Sequence, residues 1–191
     1  GHHRIESAKS MGQSTVPAYV IDWVDTTKES EHLDSIIGLN NGNKAWSQLD
    51  YLKAFTNKSE DYSLVYKAYL NNYNTISVGN LISMFFGKTT GAFKRGESSV
   101  RNYKFSLYLL RKVSRLVTKY GKKNIQAYCV REMCNIAHLK AYDDYEAMDF
   151  LFKEYEELAR TSHPAATSIS RFKPIMELSL SQFNKIRDAN N

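Results

Sequence analysis

Cysteine is almost missing from this chain: only Cys129 and Cys134 occur in 191 residues. They are not spaced as CxxC, and both lie in an apolar stretch. That pattern excludes a disulfide framework and predicts buried free thiols in a reducing compartment. Proline and glycine are also scarce, at three and nine residues. Long disordered tracts are therefore not expected. No apolar run approaches the ~20 residues that span a bilayer, and no secretory leader is visible. These absences point to a cytoplasmic protein with no membrane partner. Five histidines are present, but none forms H-x-x-x-H or pairs with cysteine at ligand spacing, so no metal site is expected. Asp143, Asp144 and Glu146 read as acids at a helix N-terminus rather than as a cation site.

One region nearly lacks acids. From Lys88 to Lys123 there are eleven Lys or Arg and a single acid, Glu97. From Asp143 to Arg160 the balance reverses, with seven acids and two bases. The whole chain carries a formal charge of +6. Its asymmetry is more informative than its total.

Apolar periodicity predicts a mainly α protein. A short helix runs from Arg4 to Met11 and ends at Gly12. Val16 to Trp23 is the best strand candidate. Thr26 or Thr27 caps a helix carrying Leu33, Ile36 and Ile37, stopped by the turn Asn40-Asn41-Gly42-Asn43. Ser47 is an N-cap, with Asp50 as its capping-box partner. Further helices are expected over Tyr62–Tyr73, Ser77–Phe86, Thr89–Arg95, Ser98–Tyr120, Ile125–Tyr142 and Asp143–Arg160. Glycines 87, 96 and 121 act as stops. Ser162–Pro174 reads as a linker before a terminal helix, Ile175–Ile186. There is no internal sequence repeat.

In the long helix the bases are phased. Arg101, Lys104, Arg111, Lys112, Arg115, Lys119 and Lys122 share about one third of the circumference. Val100, Tyr103, Leu107, Leu110, Val113 and Val117 take the opposite arc. The result is a positive stripe about 30 Å long. Solvated helix faces usually mix both signs, so the stripe predicts an anionic partner, with nucleic acid the foremost. Pairing with the acidic helix Asp143–Arg160, within the chain or across a homodimer, is the competing account. Upstream, Ser77–Phe86, Gly87-Lys88 and Thr89–Arg95 have the spacing of a helix-turn-helix. There Lys88, Thr89, Thr90, Lys94 and Arg95 suit bases and phosphates. Trp23, Trp46 and the tyrosines fit core packing better than base stacking.

Two segments resemble a known family. Gly1-His2-His3-Arg4-Ile5-Glu6-Ser7-Ala8, Gly12 and Val16-Pro17-Ala18-Tyr19-Val20 resemble the G-x-x-R-x-x-A-A…G…V-P box of the ParB/sulfiredoxin superfamily. Asn40 to Asp50 resembles the following N-x-x-R-x-x-L…E box, with Trp46 in the leucine place and Asp50 in that of the acid. Asn43 stands where the family has a second arginine, and Lys44 lies beside it. The sulfiredoxin cysteine is His2 here, which excludes thiol chemistry at this loop.

The resemblance covers about the first half of the chain and implies a ParB-like DNA-binding protein. It implies a partial α+β nucleotide-binding segment over 1–56, with one or two short strands. A helical, DNA-binding part with the helix-turn-helix-like unit follows over 57–161, then the linker and terminal helix over 162–191. It further implies a nucleotide, CTP with Mg²⁺, held by Gly1, His2, His3, Arg4 and Asn40. A glycine and a helix N-terminus let backbone amides approach phosphate, and an arginine adds a bidentate contact. The DNA contacts expected are Lys88, Thr89, Thr90, Lys94, Arg95, Arg101, Lys104, Arg111 and Arg115. The role implied is plasmid or phage partition, or transcriptional regulation, with at most slow CTP hydrolysis. The opening Gly1-His2-His3-Arg4, without methionine, points to a trimmed, processed or tagged form of a longer protein. Two alternatives stay open. One is a nucleotide-dependent phosphotransferase or nuclease on the same superfold. The other is a helical oligomerisation protein that binds no nucleic acid.

Overall fold

A computed structural model describes residues 2–15, 35, 46–87 and 91–190, with the side chains of residues 2–4 excepted. The expected strand Val16–Trp23, the Asn40–Asn43 turn and, apart from the helical Ser35, the helix after Thr27 lie outside the described residues. The chain divides into two compact units, 1–45 and 46–191. The division falls eleven residues before the boundary expected from sequence.

In the first unit, α1 spans His2–Ser10. It ends as the sequence predicts. Gly12 has φ +70°, a conformation that costs glycine little because it has no Cβ. The Gly12 amide donates to the Lys9 carbonyl at 3.0 Å and the Gln13 amide to Ala8 at 2.9 Å. That pair of bonds is a Schellman cap.

The described part of the second unit is helical throughout. Its elements are α2 (Gln48–Ala54), α3 (Glu60–Asn72), α4 (Val78–Phe86), α5 (Gly91–Lys94), α6 (Tyr103–Asn124), α7 (Ala127–Leu139), α8 (Tyr145–Arg160) and α9 (Ile169–Ala189). A 3₁₀ turn, Pro164–Thr167, precedes α9. The capping box is present: the Asp50 amide donates to the Ser47 hydroxyl, and the Ser47 amide donates to the Asp50 carboxylate. Ser77, Asn102 and Asp144 cap α4, α6 and α8 through their side chains.

Helices α2 to α5 enclose an aromatic cluster. Tyr62 is fully buried and stacks on Phe93, with Phe55 and Phe86 against its other edges. Its hydroxyl, which could not be buried unpaired at low cost, donates to the Phe93 carbonyl at 2.8 Å. Helix α4 carries this cluster onto α6 and α7. The His138 ring of α7 meets the Met84 carbonyl through Nε2 at 2.9 Å. Burial lowers the pKa of that imidazole, the Met84 and Ser83 carbonyls oppose the shift, and the net is downward.

Two antiparallel hairpins follow, α6–α7 and α8–α9. In the second, Phe150 meets Phe183 and Tyr155 meets Phe172, so one index rises as the other falls. The hairpins stack in parallel. Helix α6 touches α8 through Tyr108–Tyr145, Lys112–Asp149 and Lys119–Glu156. Helix α7 touches α9 through Glu132–Lys173 and Lys140–Glu177. The first hairpin buries its apolar faces against both α4 and the second hairpin, and the second packs on the first. The repetition is one of backbone arrangement, without residue similarity.

The segment expected as a linker is part of the core. Ala165, Ala166 and Phe172 are buried. The Cys129 thiol approaches the Ala166 carbonyl at 3.4 Å, and the Tyr128 hydroxyl donates to Thr167. Helix α9 begins at Ile169 and runs through Pro174. The proline removes one amide bond, to the Ser170 carbonyl, where both residues are exposed and water can replace it. Cys129 and Cys134 are both buried, and burial pushes each thiol up to about 12. Among the described residues no helix is long and apolar enough to cross a membrane. Phe172→Ala is expected to lower stability by about 3–5 kcal/mol in urea unfolding. A residue in a linker would change it by less than about 0.5 kcal/mol.

Candidate nucleic-acid interface

Helix α6 presents its apolar arc inward. Phe105, Leu109, Leu110, Val113, Leu116 and Val117 are buried. Phe105, Leu109 and Leu116 extend the arc expected from sequence, whereas Tyr103 and Leu107 are only half-buried. The arc centres about 170° from Lys104, at 100° per residue. The basic residues therefore face outward, but they form two columns rather than one stripe.

The first column is neutralised by α8. Lys112 pairs with Asp149 at 2.5 Å and Lys119 with Glu156 at 2.7 Å. These lysines lie about 60–80° round the helix from Lys104. A tyrosine joins each pair: Tyr108 donates to Asp149 at 2.6 Å and Tyr120 to Glu156 at 3.1 Å. The lysine nitrogens lie 5.4 and 5.1 Å from the centroids of the same two rings. The pKa values reflect this. Partial burial pushes the Asp149 carboxyl up, but the hydrogen bonds from Lys112 and Tyr108 outweigh it and hold it below its ordinary value. The Lys119 hydrogen bond lowers Glu156, and Glu156 raises Lys119 in return. Tyr108 is raised by burial and by Asp149.

The second column is not paired with α8 carboxylates at ion-pair distance, though the Arg115 charge helps lower Glu156. Lys104, Arg111 and Arg115 are exposed and lie within about 20° of one line. None makes an ion pair among the described residues. Eleven residues separate Lys104 from Arg115, about 16 Å of helix. Gly121 then breaks the phase, with φ +78° and ψ 157° inside the helix. Lys122 and Lys123 are exposed beyond that kink. Before the helix, the exposed Arg101 guanidinium lies 4.1 Å from the centroid of the Tyr142 ring. The unneutralised face is therefore about half as long as the stripe expected from sequence.

The remaining expected contacts are less unified. Lys88, Thr89 and Thr90 lie outside the described residues. Among those described, the helix following α4 is the single turn Gly91–Lys94, with Phe93 buried beneath it. Lys94 is exposed, its nitrogen 6.0 Å from the Tyr51 ring centroid. Arg95 pairs with Glu97 at 2.8 Å, so the one acid of the basic region neutralises a base there. No hydrogen bond or ion pair joins Lys94 or Arg95 to α6 among the described residues. Of the expected nucleotide ligands, Gly1 and Asn40 lie outside the described residues. His2, His3 and Arg4 occupy the first turn of α1 by their backbone. No three His, Cys, Asp or Glu side chains converge as a metal site among the described residues.

Sequence reasoning missed Tyr108 and Tyr120. No sequence signal marks these tyrosines, which sit four residues before Lys112 and one after Lys119.

The lowered carboxylates make the α6–α8 contact pH-dependent. A group depressed in the folded state contributes stability above its unfolded pKa, and this is lost as pH falls through the folded value. Stability is expected to decline below about pH 4. The double substitution Asp149→Asn with Glu156→Gln should make that decline shallower, read as urea midpoints against pH. Equal slopes would contradict the assignment. No family model, no curated protein and no solved structure matches the chain.

Proposed function

We propose that this chain is a DNA-binding protein of ParB type that grips phosphates with the open column of α6. Lys104, Arg111 and Arg115 are the principal contacts, with Arg101, Lys122 and Lys123 flanking them. The observation that carries the reading is that, among the described residues, none of these three side chains makes an ion pair. Neighbouring lysines on the same helix do find carboxylates, so acids are within reach of α6 and still leave this column bare. An arginine or lysine column of one sign is costly among its own kind and gains from displacing counterions on a polyanion. The helix-turn-helix role of Lys88, Thr89, Thr90, Lys94 and Arg95 belongs to the same proposal and supplies the sequence-reading part. The nucleotide part, CTP with Mg²⁺ held by Gly1, His2, His3, Arg4 and Asn40 and acting as a switch, rests on the resemblance of the first box to the ParB family. A partition or regulatory protein of a plasmid or phage uses DNA in this way.

A second reading is favoured by the Lys112–Asp149 and Lys119–Glu156 pairs. There the basic helix serves α8, and the open column serves only solubility.

The two readings part on salt. DNA affinity measured by anisotropy on a duplex of mixed sequence should fall linearly with the logarithm of salt concentration. Arg111→Glu with Arg115→Glu should weaken binding roughly tenfold or more near 0.1 M salt and flatten the slope by about 2. Lys67→Glu, an exposed change on α3, should do neither. Binding untouched by the arginine pair would support the second reading.

A further inference from the structure

We infer that α8 is a built-in competitor for the DNA backbone, and that Asp149 and Glu156 withhold Lys112 and Lys119 from it. This rests on the reading of α6 as the phosphate-binding helix and concerns how that helix is limited. The two withheld lysines lie one column away from Lys104, Arg111 and Arg115 on the same outward side of α6. Each is held the same way: a carboxylate of α8 accepts from the lysine and from a tyrosine of α6. The lysine–carboxylate pairs repeat because Lys112 and Lys119 are seven residues apart, as are Asp149 and Glu156, while the two tyrosines reach them from different offsets. Seven residues are two helical turns, so both sets stay on one face.

The pairs are part-exposed. Lys112 and Asp149 are 34% and 48% accessible, and Lys119 and Glu156 are 53% and 33%. Ion pairs this open to water are held weakly, so a phosphate can compete for each lysine. When it does, a counterion leaves the DNA but the freed carboxylate attracts another. The net release is small, and the two lysines add little to affinity or to its salt dependence. Neutralising the acids frees both lysines for phosphate. Asparagine and glutamine preserve the shape of each group and its ability to accept from Tyr108 and Tyr120.

The test is DNA binding across a salt series by wild type, by Asp149→Asn/Glu156→Gln, and by that variant with Lys112→Ala and Lys119→Ala added. Circular dichroism melts establish that each is folded. The inference expects the neutralised variant to bind about tenfold more tightly near 0.1 M salt, with a slope steeper by about 1 to 2. It expects the added alanines to cancel both gains. A gain that survives the alanines would come from lost repulsion alone and overturn the withholding of the lysines. No gain, in a wild type whose binding depends on Arg111 and Arg115, would overturn the competitor role while leaving the interface intact. If wild type binds no DNA at any salt, the underlying reading fails first. If the neutralised variant melts out, Glu156→Gln alone, with and without Lys119→Ala, reads the same comparison at one pair.

Discussion

The parallel contact between α6 and α8 decides what the surface of this protein offers. Both helices carry their partners at a spacing of seven residues, so Lys112–Asp149 and Lys119–Glu156 form only in one register. Apolar burial beneath them, through Leu109, Leu116, Phe152 and Met148, supplies the stability. The ion pairs are too open to supply much. What they do is sort the cations. Among the described residues, Lys112 and Lys119 on the α8 side of the helix each acquire an acid, and Lys104, Arg111 and Arg115 on the far column make no ion pair. A helix with uniform charge thereby becomes one with a neutral seam and a positive edge.

That sorting depends in turn on α9. A helical hairpin cannot bury its inner face alone, and α8 would not be held against α6 without its own partner. Tyr155 and Phe172, both fully buried, lock α8 to α9. Arg187 near the end of α9 returns to Asp144, the N-cap of α8, at 2.6 Å. The chain segment from Ser162 onward is thus the support of the candidate interface.

Much of this was legible in the sequence where the physics is local. Ser47 with Asp50 announces a capping box. Glycines 12, 87, 96 and 121 mark stops, and all four have positive φ. The alternation of Val113, Leu110 and Val117 with bases locates the buried arc of α6. What was illegible depends on tertiary placement. Pro174 looks like a helix breaker, and only the exposure of its neighbours explains why α9 continues through it. The acids of α8 were visible as a competing partner, but their register against α6 was not. Single-sequence periodicity gives the face of a helix without saying which neighbour lies beside it. The helix-turn-helix spacing around Gly87 was visible too, yet the described turn after it is occupied by Phe93 packing into the aromatic cluster.

The most direct measurement is the reactivity of individual lysines toward an amine-acylating reagent, followed by mass spectrometry with and without duplex DNA. In the free protein Lys104 should react faster than Lys112 and Lys119, whose ammonium groups are held by carboxylates. Duplex DNA should protect Lys104 and leave Lys112 and Lys119 nearly unchanged. Equal reactivity of all three, with no protection by DNA, would contradict the division of α6 into a bare column and a neutral one.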